Sequence, residues 1–221
     1  MSTRYSEEEC KNSGQHDKTF NNIYQEILAA SKDEKYVFVK DMSQYIVKPD
    51  SIEGKNPTVF TDDELKSMTH SFLIRTPEKS VPSYYRCCSG DQAKETGFET
   101  YDPDEAGYRE SVTLFKYLTS IGIEPIIVDS SDLIKTPKLV MQAYCKHVGI
   151  PYLEGMIEWK AEKVESFDKW KGFHDDAQQS TGFKEVKREK ETHPEIVTKT
   201  IEENKAPYEW LFERRVKIDS Q

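Results

Sequence analysis

Thr69-His-Ser-Phe-Leu-Ile-Arg-Thr-Pro-Glu-Lys-Ser-Val-Pro-Ser-Tyr-Tyr-Arg86 is the stretch on which the reading of this chain turns. Phe72, Leu73 and Ile74 form a short apolar run of the kind that buried parallel strands carry. Arg75 follows where such a strand meets solvent, and Pro77 suits the first turn of a helix, where its missing donor costs nothing. Ser80 and Ser83 place hydroxyls near the positive end of that helix. Ligands of open parallel sheets bind at the carboxyl ends of the strands, so a phosphate is expected to suit this place.

Outward from this stretch, short apolar strands alternate with helices, the pattern of a parallel α/β sheet. Asp17 is expected to cap a helix reaching about Ala30, with Phe20, Ile23, Tyr24, Ile27 and Leu28 on one face. Tyr36-Val-Phe-Val39 reads as a strand ending at Lys40 and Asp41, and Thr61-Asp-Asp-Glu64 is a capping box. Gly90 to Pro103 is expected to be a surface loop, followed by an amphipathic helix from Asp104 to Ile121 that Gly122 closes. Ile126-Ile-Val128 reads as a further strand, Asp129 to Asp132 as a link, and Thr136-Pro137 as the start of a helix that Gly149 ends. The expected fold is α/β, a three-layer parallel sheet with flanking helices over residues 1–185. A charged C-terminal helix or tail follows over 186–221, with an apolar patch at Tyr208-Glu-Trp-Leu-Phe212.

With 221 residues, 36% of them hydrophobic, the chain can bury a substantial core. A net charge of −9 argues against nucleic acid or an anionic membrane surface as the main partner. No apolar run approaches the ~20 residues needed to span a bilayer, and no signal-peptide core opens the chain, so a cytoplasmic location is expected. Cys10, Cys87, Cys88 and Cys145 show neither zinc spacing nor a Cys-x-x-Cys pair, and read as thiols.

Ile74-Arg75-Thr-Pro-Glu-Lys-Ser-Val-Pro-Ser83-Tyr84-Tyr85 resembles the 3′-phosphate-binding segment of the P-loop sulfotransferases. There an Arg ends a central strand, and a Ser eight positions later, followed by aromatics, shares the 3′-phosphate of the donor PAPS. Phe38-Val-Lys-Asp-Met42, Pro82-Ser-Tyr-Tyr-Arg-Cys87, Glu105-Ala-Gly-Tyr108 and Trp170-Lys-Gly-Phe-His-Asp-Asp-Ala177 are similar, in the same order, to a branch common in filamentous fungi. The resemblance covers roughly residues 4 to 183. It implies a P-loop sulfotransferase-like fold, PAPS or adenosine 3′,5′-bisphosphate as cofactor, and a small-molecule acceptor in fungal secondary-metabolite biosynthesis. The family also places a Gly- and Lys-containing loop over the nucleotide, which points to Lys184 within Gln179-Ser-Thr-Gly-Phe-Lys184.

The chain departs from that family at its beginning. The family opens with a strand and a phosphate-gripping loop, whereas nothing before Lys35 reads as a strand and no Gly-x-x-x-x-Gly-Lys-Ser/Thr pattern occurs. Such a loop offers consecutive backbone donors and a cation to the phosphosulfate. Three readings follow: a sulfotransferase-like protein with a retained 3′-phosphate corner, a non-catalytic nucleotide- or metabolite-binding or scaffold protein beside a partner enzyme, and an N-terminally truncated product of a longer gene.

Lys40 and Asp41 end a strand on the expected ligand edge and are the candidate catalytic pair, with a structural ion pair as the equal alternative. Asp41 stands near the place of the family's catalytic His and can accept a proton only weakly at its ordinary pKa. His174-Asp-Asp176 has ligand types for a divalent ion, but vicinal carboxylates diverge and no second cluster accompanies them, so no metal is expected. Trp159, Trp170 and Phe173 read first as core aromatics and second as lining of an acceptor pocket.

Overall fold

The computed structural model describes residues 7–12, 14, 16–185 and 192–218. The Lys/Glu-rich stretch from Val186 to Glu191 lies outside these, as do the side chains of Cys10 and Trp170. The fold is α/β and mostly helical. In chain order the elements are α1 (Glu7–Asn12), α2 (Phe20–Asp33), α3 (Ser43–Ile46), α4 (Asp62–Lys66), β1 (Ser71–Ile74), α5 (Pro77–Cys87), α6 (Gly90–Thr96), α7 (Tyr108–Ser120), β2 (Ile126–Asp129), α8 (Ser130–Lys135), α9 (Pro137–Val148), α10 (Asp175–Gln179) and α11 (Glu195–Glu213). No described helix is long and apolar enough to cross a membrane.

β1 and β2 pair in parallel with Ser71 opposite Ile126 and Ile74 opposite Asp129. Parallel neighbours need a long crossover, here supplied by α5, α6 and α7. β2 is buried along its whole length, whereas β1 alternates, burying Phe72 and Ile74 and exposing Ser71 and Leu73. The outer edge of β2 is closed by the Val216 N–H, which donates to the Ile127 carbonyl at 2.8 Å. Phe72, Ile74, Leu114, Leu118, Ile127 and Leu211 form the centre of the core, so β1, β2, α7 and α11 share one apolar interior. α11 lies across α5 and α7 and also touches both strands.

Several local expectations are met. Thr61 accepts from the Glu64 N–H at 3.3 Å while Glu64 accepts from the Thr61 N–H at 2.7 Å, a reciprocal capping box. Pro137 occupies the first turn of α9, and Gly149 ends that helix at φ 77°, a conformation that side chains with a Cβ disfavour.

Other expectations are corrected. The three-layer parallel sheet is not seen among the described residues, which pair two strands only. Tyr36 to Val39 is not a strand: it is exposed and has no sheet partner, because β-prone side chains form a strand only where a neighbouring backbone takes up their hydrogen bonds. The helix expected from Asp104 to Ile121 is broken at Gly107, with a 3₁₀ turn at Pro103–Ala106 before it. Gly107 has φ 70°, and a Cβ there would meet Gln44 Oε1 at 2.3 Å; the Gln44 side chain instead donates to the Glu105 carbonyl at 3.0 Å. The cap of α2 is Thr19 rather than Asp17, and the expected loop after Gly90 begins with α6, which Gly97 closes.

Candidate functional site

The carboxyl ends of β1 and β2 bring together side chains from α5, α7, α8 and α11. On the β1 side, Arg75 is exposed one residue beyond the strand. Its backbone carbonyl accepts the hydroxyl of buried Tyr108, and that hydroxyl also meets the Ser80 hydroxyl. These bonds tie the Arg75 backbone to α7 and α5. Ser80 donates back to the Thr76 carbonyl at 3.2 Å, a local bond within α5. Ser83 stands half-buried one turn farther along the same helix. Leu73, 69% exposed, precedes Arg75 by two residues, and strand alternation puts both on one face. At the amino end of that face exposed Ser71 has its Oγ 3.4 Å from the Tyr144 hydroxyl of α9.

On the β2 side, Asp129 is 1% exposed. Its Oδ1 accepts from the Ser131 and Asp132 N–H groups at 2.8 and 3.4 Å, capping α8. Its Oδ2 accepts the Tyr208 hydroxyl of α11 at 3.0 Å. Arg215 Nε donates to Asp132 Oδ2 at 2.6 Å, and its guanidinium stacks 3.5 Å above the Phe212 ring. Asp129 is thereby fully engaged as a cap and a tether for α11, with no oxygen turned to a substrate. On the β1 side, exposed Leu73 and Arg75 share a face, and half-buried Ser83 lies on the helix that follows.

Burial pushes the Tyr108 hydroxyl up to about 12, opposed by the Ser80 hydrogen bond and the Arg75 charge. Burial and the Asp129 carboxylate raise Tyr208 as well, and the hydrogen bond to Asp62 at 2.7 Å lifts Tyr117 to about 12. All three hold their protons more tightly when folded than the ~10 of an unfolded tyrosine. The contribution of Tyr108 and Tyr117 to stability is therefore complete below about pH 10 and is lost as the pH rises through 12. An alkaline titration followed by phenolate absorbance and circular dichroism is expected to show a late group of tyrosines ionising together with unfolding. Complete tyrosine ionisation near pH 10 with the fold intact would contradict these contacts.

The other residues singled out from sequence are placed elsewhere. Lys40 lies near His174, and Asp41 bonds to its own following residue rather than joining the Tyr108 tether. Asp41 Oδ1 accepts the Met42 N–H at 2.7 Å, and crowding by the chain raises its carboxyl despite an exposed surface, with that bond and Lys40 opposing. Burial and then the Lys40 charge depress His174, whose ring packs 4.4 Å from Phe167. Lys184 is exposed and donates to Thr181 Oγ1 at 3.2 Å, at the rim of a shallow groove of about 470 Å³ that Trp159 and Phe183 also line. Among the described residues no three His, Cys, Asp or Glu side chains are grouped to hold a metal.

Tyr108, Asp129, Tyr208 and Arg215 were not among the sequence candidates. Asp129 carried a readable signal, a strand-terminal carboxylate followed by Ser130-Ser131, which is N-cap chemistry. Tyr208 meets Asp129, Arg215 meets Asp132 and Tyr108 meets the Arg75 carbonyl, each from a distant part of the chain, which no local pattern reports.

No family model matches the chain, and no solved structure matches it. It is similar to branched-chain-amino-acid aminotransferase-like protein 1 of Arabidopsis thaliana, 25% identical over 177 residues, which are 78% of this chain and 27% of that protein. It is similar also to branched-chain-amino-acid aminotransferase-like protein 2 of the same plant, 24% identical over 174 residues with the same two coverages. The chain thus spans about a quarter of the length of these curated relatives. Their names correct the resemblance to P-loop sulfotransferases and its fungal secondary-metabolite setting, and with them PAPS or adenosine 3′,5′-bisphosphate as the cofactor. The alternative of a non-catalytic nucleotide binder or scaffold gains no support from those names.

Proposed function

We propose that this chain recognises the carboxylate of a branched-chain amino acid or of its 2-oxo acid, with Arg75 as the anion partner and Leu73 as the apolar contact. The observation that carries the proposal is the pairing of an exposed leucine and an exposed arginine on one face of β1. Residues two apart on a strand are ~7 Å from each other, which suits a molecule with a carboxylate at one end and a branched aliphatic tip at the other. A guanidinium can grip a carboxylate with two parallel N–H bonds, and Ser83 adds a hydroxyl on the neighbouring helix. The aminotransferase-like names of the relatives point to this class of small molecule. Nucleic acid and membranes have no part in the proposal.

Pyridoxal phosphate, which supplies carbanion-stabilising chemistry to aminotransferases, is held through a lysine amine that needs a desolvated setting. No described lysine side chain is buried, and half-buried Lys205 donates to Glu202. The described residues therefore do not fit that cofactor, and the proposal assigns ligand recognition, not transamination, to this chain.

Calorimetric titration with the 2-oxo acid of leucine tests the assignment. Saturable binding is expected, weakened about tenfold or more in Arg75→Ala, since a charge-assisted hydrogen bond contributes ~1.5–3 kcal/mol. No binding by the folded wild type, or equal binding by the variant, would remove Arg75 from this role.

A further inference from the structure

Lys35 to Asp41 carry a β-prone run on the exposed surface, yet among the described residues none of their backbone N–H or C=O groups makes a backbone hydrogen bond. Glu34 before the run and Met42 after it both have extended backbones. Tyr36, Val37 and Val39 are exposed, and Phe38, 78% exposed, is the most open of the large apolar side chains described. An uncovered run of this composition is a template for pairing with another strand.

We propose that two copies of this chain associate by antiparallel pairing of residues 35–41 about a twofold axis at Phe38. The order of charges selects both the occupant and the register. With Phe38 opposite its counterpart, each Lys35 faces the second copy's Asp41, Val37 faces Val39, and Lys40 faces the Tyr36 ring. Every residue from Lys35 to Asp41 then has a complementary neighbour, and the twofold axis uses each ion pair twice. A slip of one residue in one direction sets Lys35 against Lys40 and Glu34 against Asp41, pairs of like charge that strand neighbours do not tolerate. Asp41 spends Oδ1 on the Met42 N–H, so Oδ2 is the oxygen that meets Lys35. The contact also gives alternate backbone units of the run the hydrogen-bond partners that they lack among the described residues.

Such a short interface makes a weak dimer, best read by sedimentation over a range of protein concentrations. Reversible dimerisation of the wild type is expected, with Phe38→Asp monomeric at every concentration. Lys35→Asp and Asp41→Lys each place like charges opposite one another and are expected to weaken the dimer about tenfold or more. The double variant Lys35→Asp/Asp41→Lys restores the pairing and is expected to return to within about threefold of wild type. Circular dichroism confirms that each variant is folded. A monomeric wild type at the highest concentration, a dimer undiminished by Phe38→Asp, or a double variant no tighter than the single ones would each overturn the proposal.

Discussion

Replacing Leu211 with alanine is expected to lower the stability of the fold by about 3 kcal/mol, within the usual cost of emptying a core leucine site. Leu211 is 0% exposed and belongs to the same cluster as Phe72, Ile74, Leu114, Leu118 and Ile127, so it is the point at which α11 enters the shared interior. Its surroundings resist collapse into the vacated space. The neighbouring Trp210 ring packs edge-on against Phe115 at 5.7 Å and is held from the other side by Arg214, 3.8 Å from the ring centre. A cavity therefore persists, and the cavity term adds to the lost transfer energy. Urea unfolding is the measurement: the midpoint falls while the slope stays constant, because the surface exposed on unfolding is unchanged. Leu139→Ala, at a site 42% exposed on α9, is the control and should cost less than about 1 kcal/mol. Equal small losses at both positions would mean that α11 is not docked in solution.

The second large effect is expected at Asp129. Alanine there removes the acceptor for two N–H groups at the start of α8 and leaves the Tyr208 hydroxyl without its partner. The lost cap and the stranded hydroxyl together cost about 2–4 kcal/mol. Asparagine keeps an oxygen for the cap, and its amide can donate to a Tyr208 hydroxyl that rotates to accept, so Asp129→Asn should recover most of the loss. Tyr208→Phe combined with Asp129→Ala should cost less than the sum of the two single changes, because the stranded hydroxyl is then gone. Urea midpoints for the four variants and the wild type decide the matter. An asparagine variant as damaged as the alanine variant would show that the carboxylate charge, rather than its hydrogen bonds, supports this end of the sheet.

What sequence revealed was chemistry confined to a few consecutive residues. β1 was legible because an apolar run is cut off by Arg75 and Pro77, and the Thr61 capping box was legible because its two partners are three residues apart. The break at Gly107 was hidden, since the apolar period continues through it and the Gln44 side chain that crowds this position comes from far back in the chain. Tyr36 to Val39 shows the opposite failure: the propensity is real, but strand formation depends on a second backbone that no single segment encodes. The place of Arg75 just beyond β1 was legible from its local run, whereas Tyr108, Tyr208 and Arg215 reach the same edge through three-dimensional packing. The sulfotransferase resemblance failed for a related reason. An apolar strand, an arginine and a proline-started helix form the joint that a parallel α/β unit requires, whatever ligand it serves.

The hydrogen bond from Val216 to Ile127 has a consequence for biosynthesis. β2 leaves the ribosome nearly ninety residues before the segment that closes its outer edge, and Leu211, which completes the interior, emerges only just ahead of that segment. Until then the nascent polypeptide carries both parallel strands with one border unsealed. Folding of this unit is thus timed by translation of α11, and the interval before it is when a chaperone has most to protect.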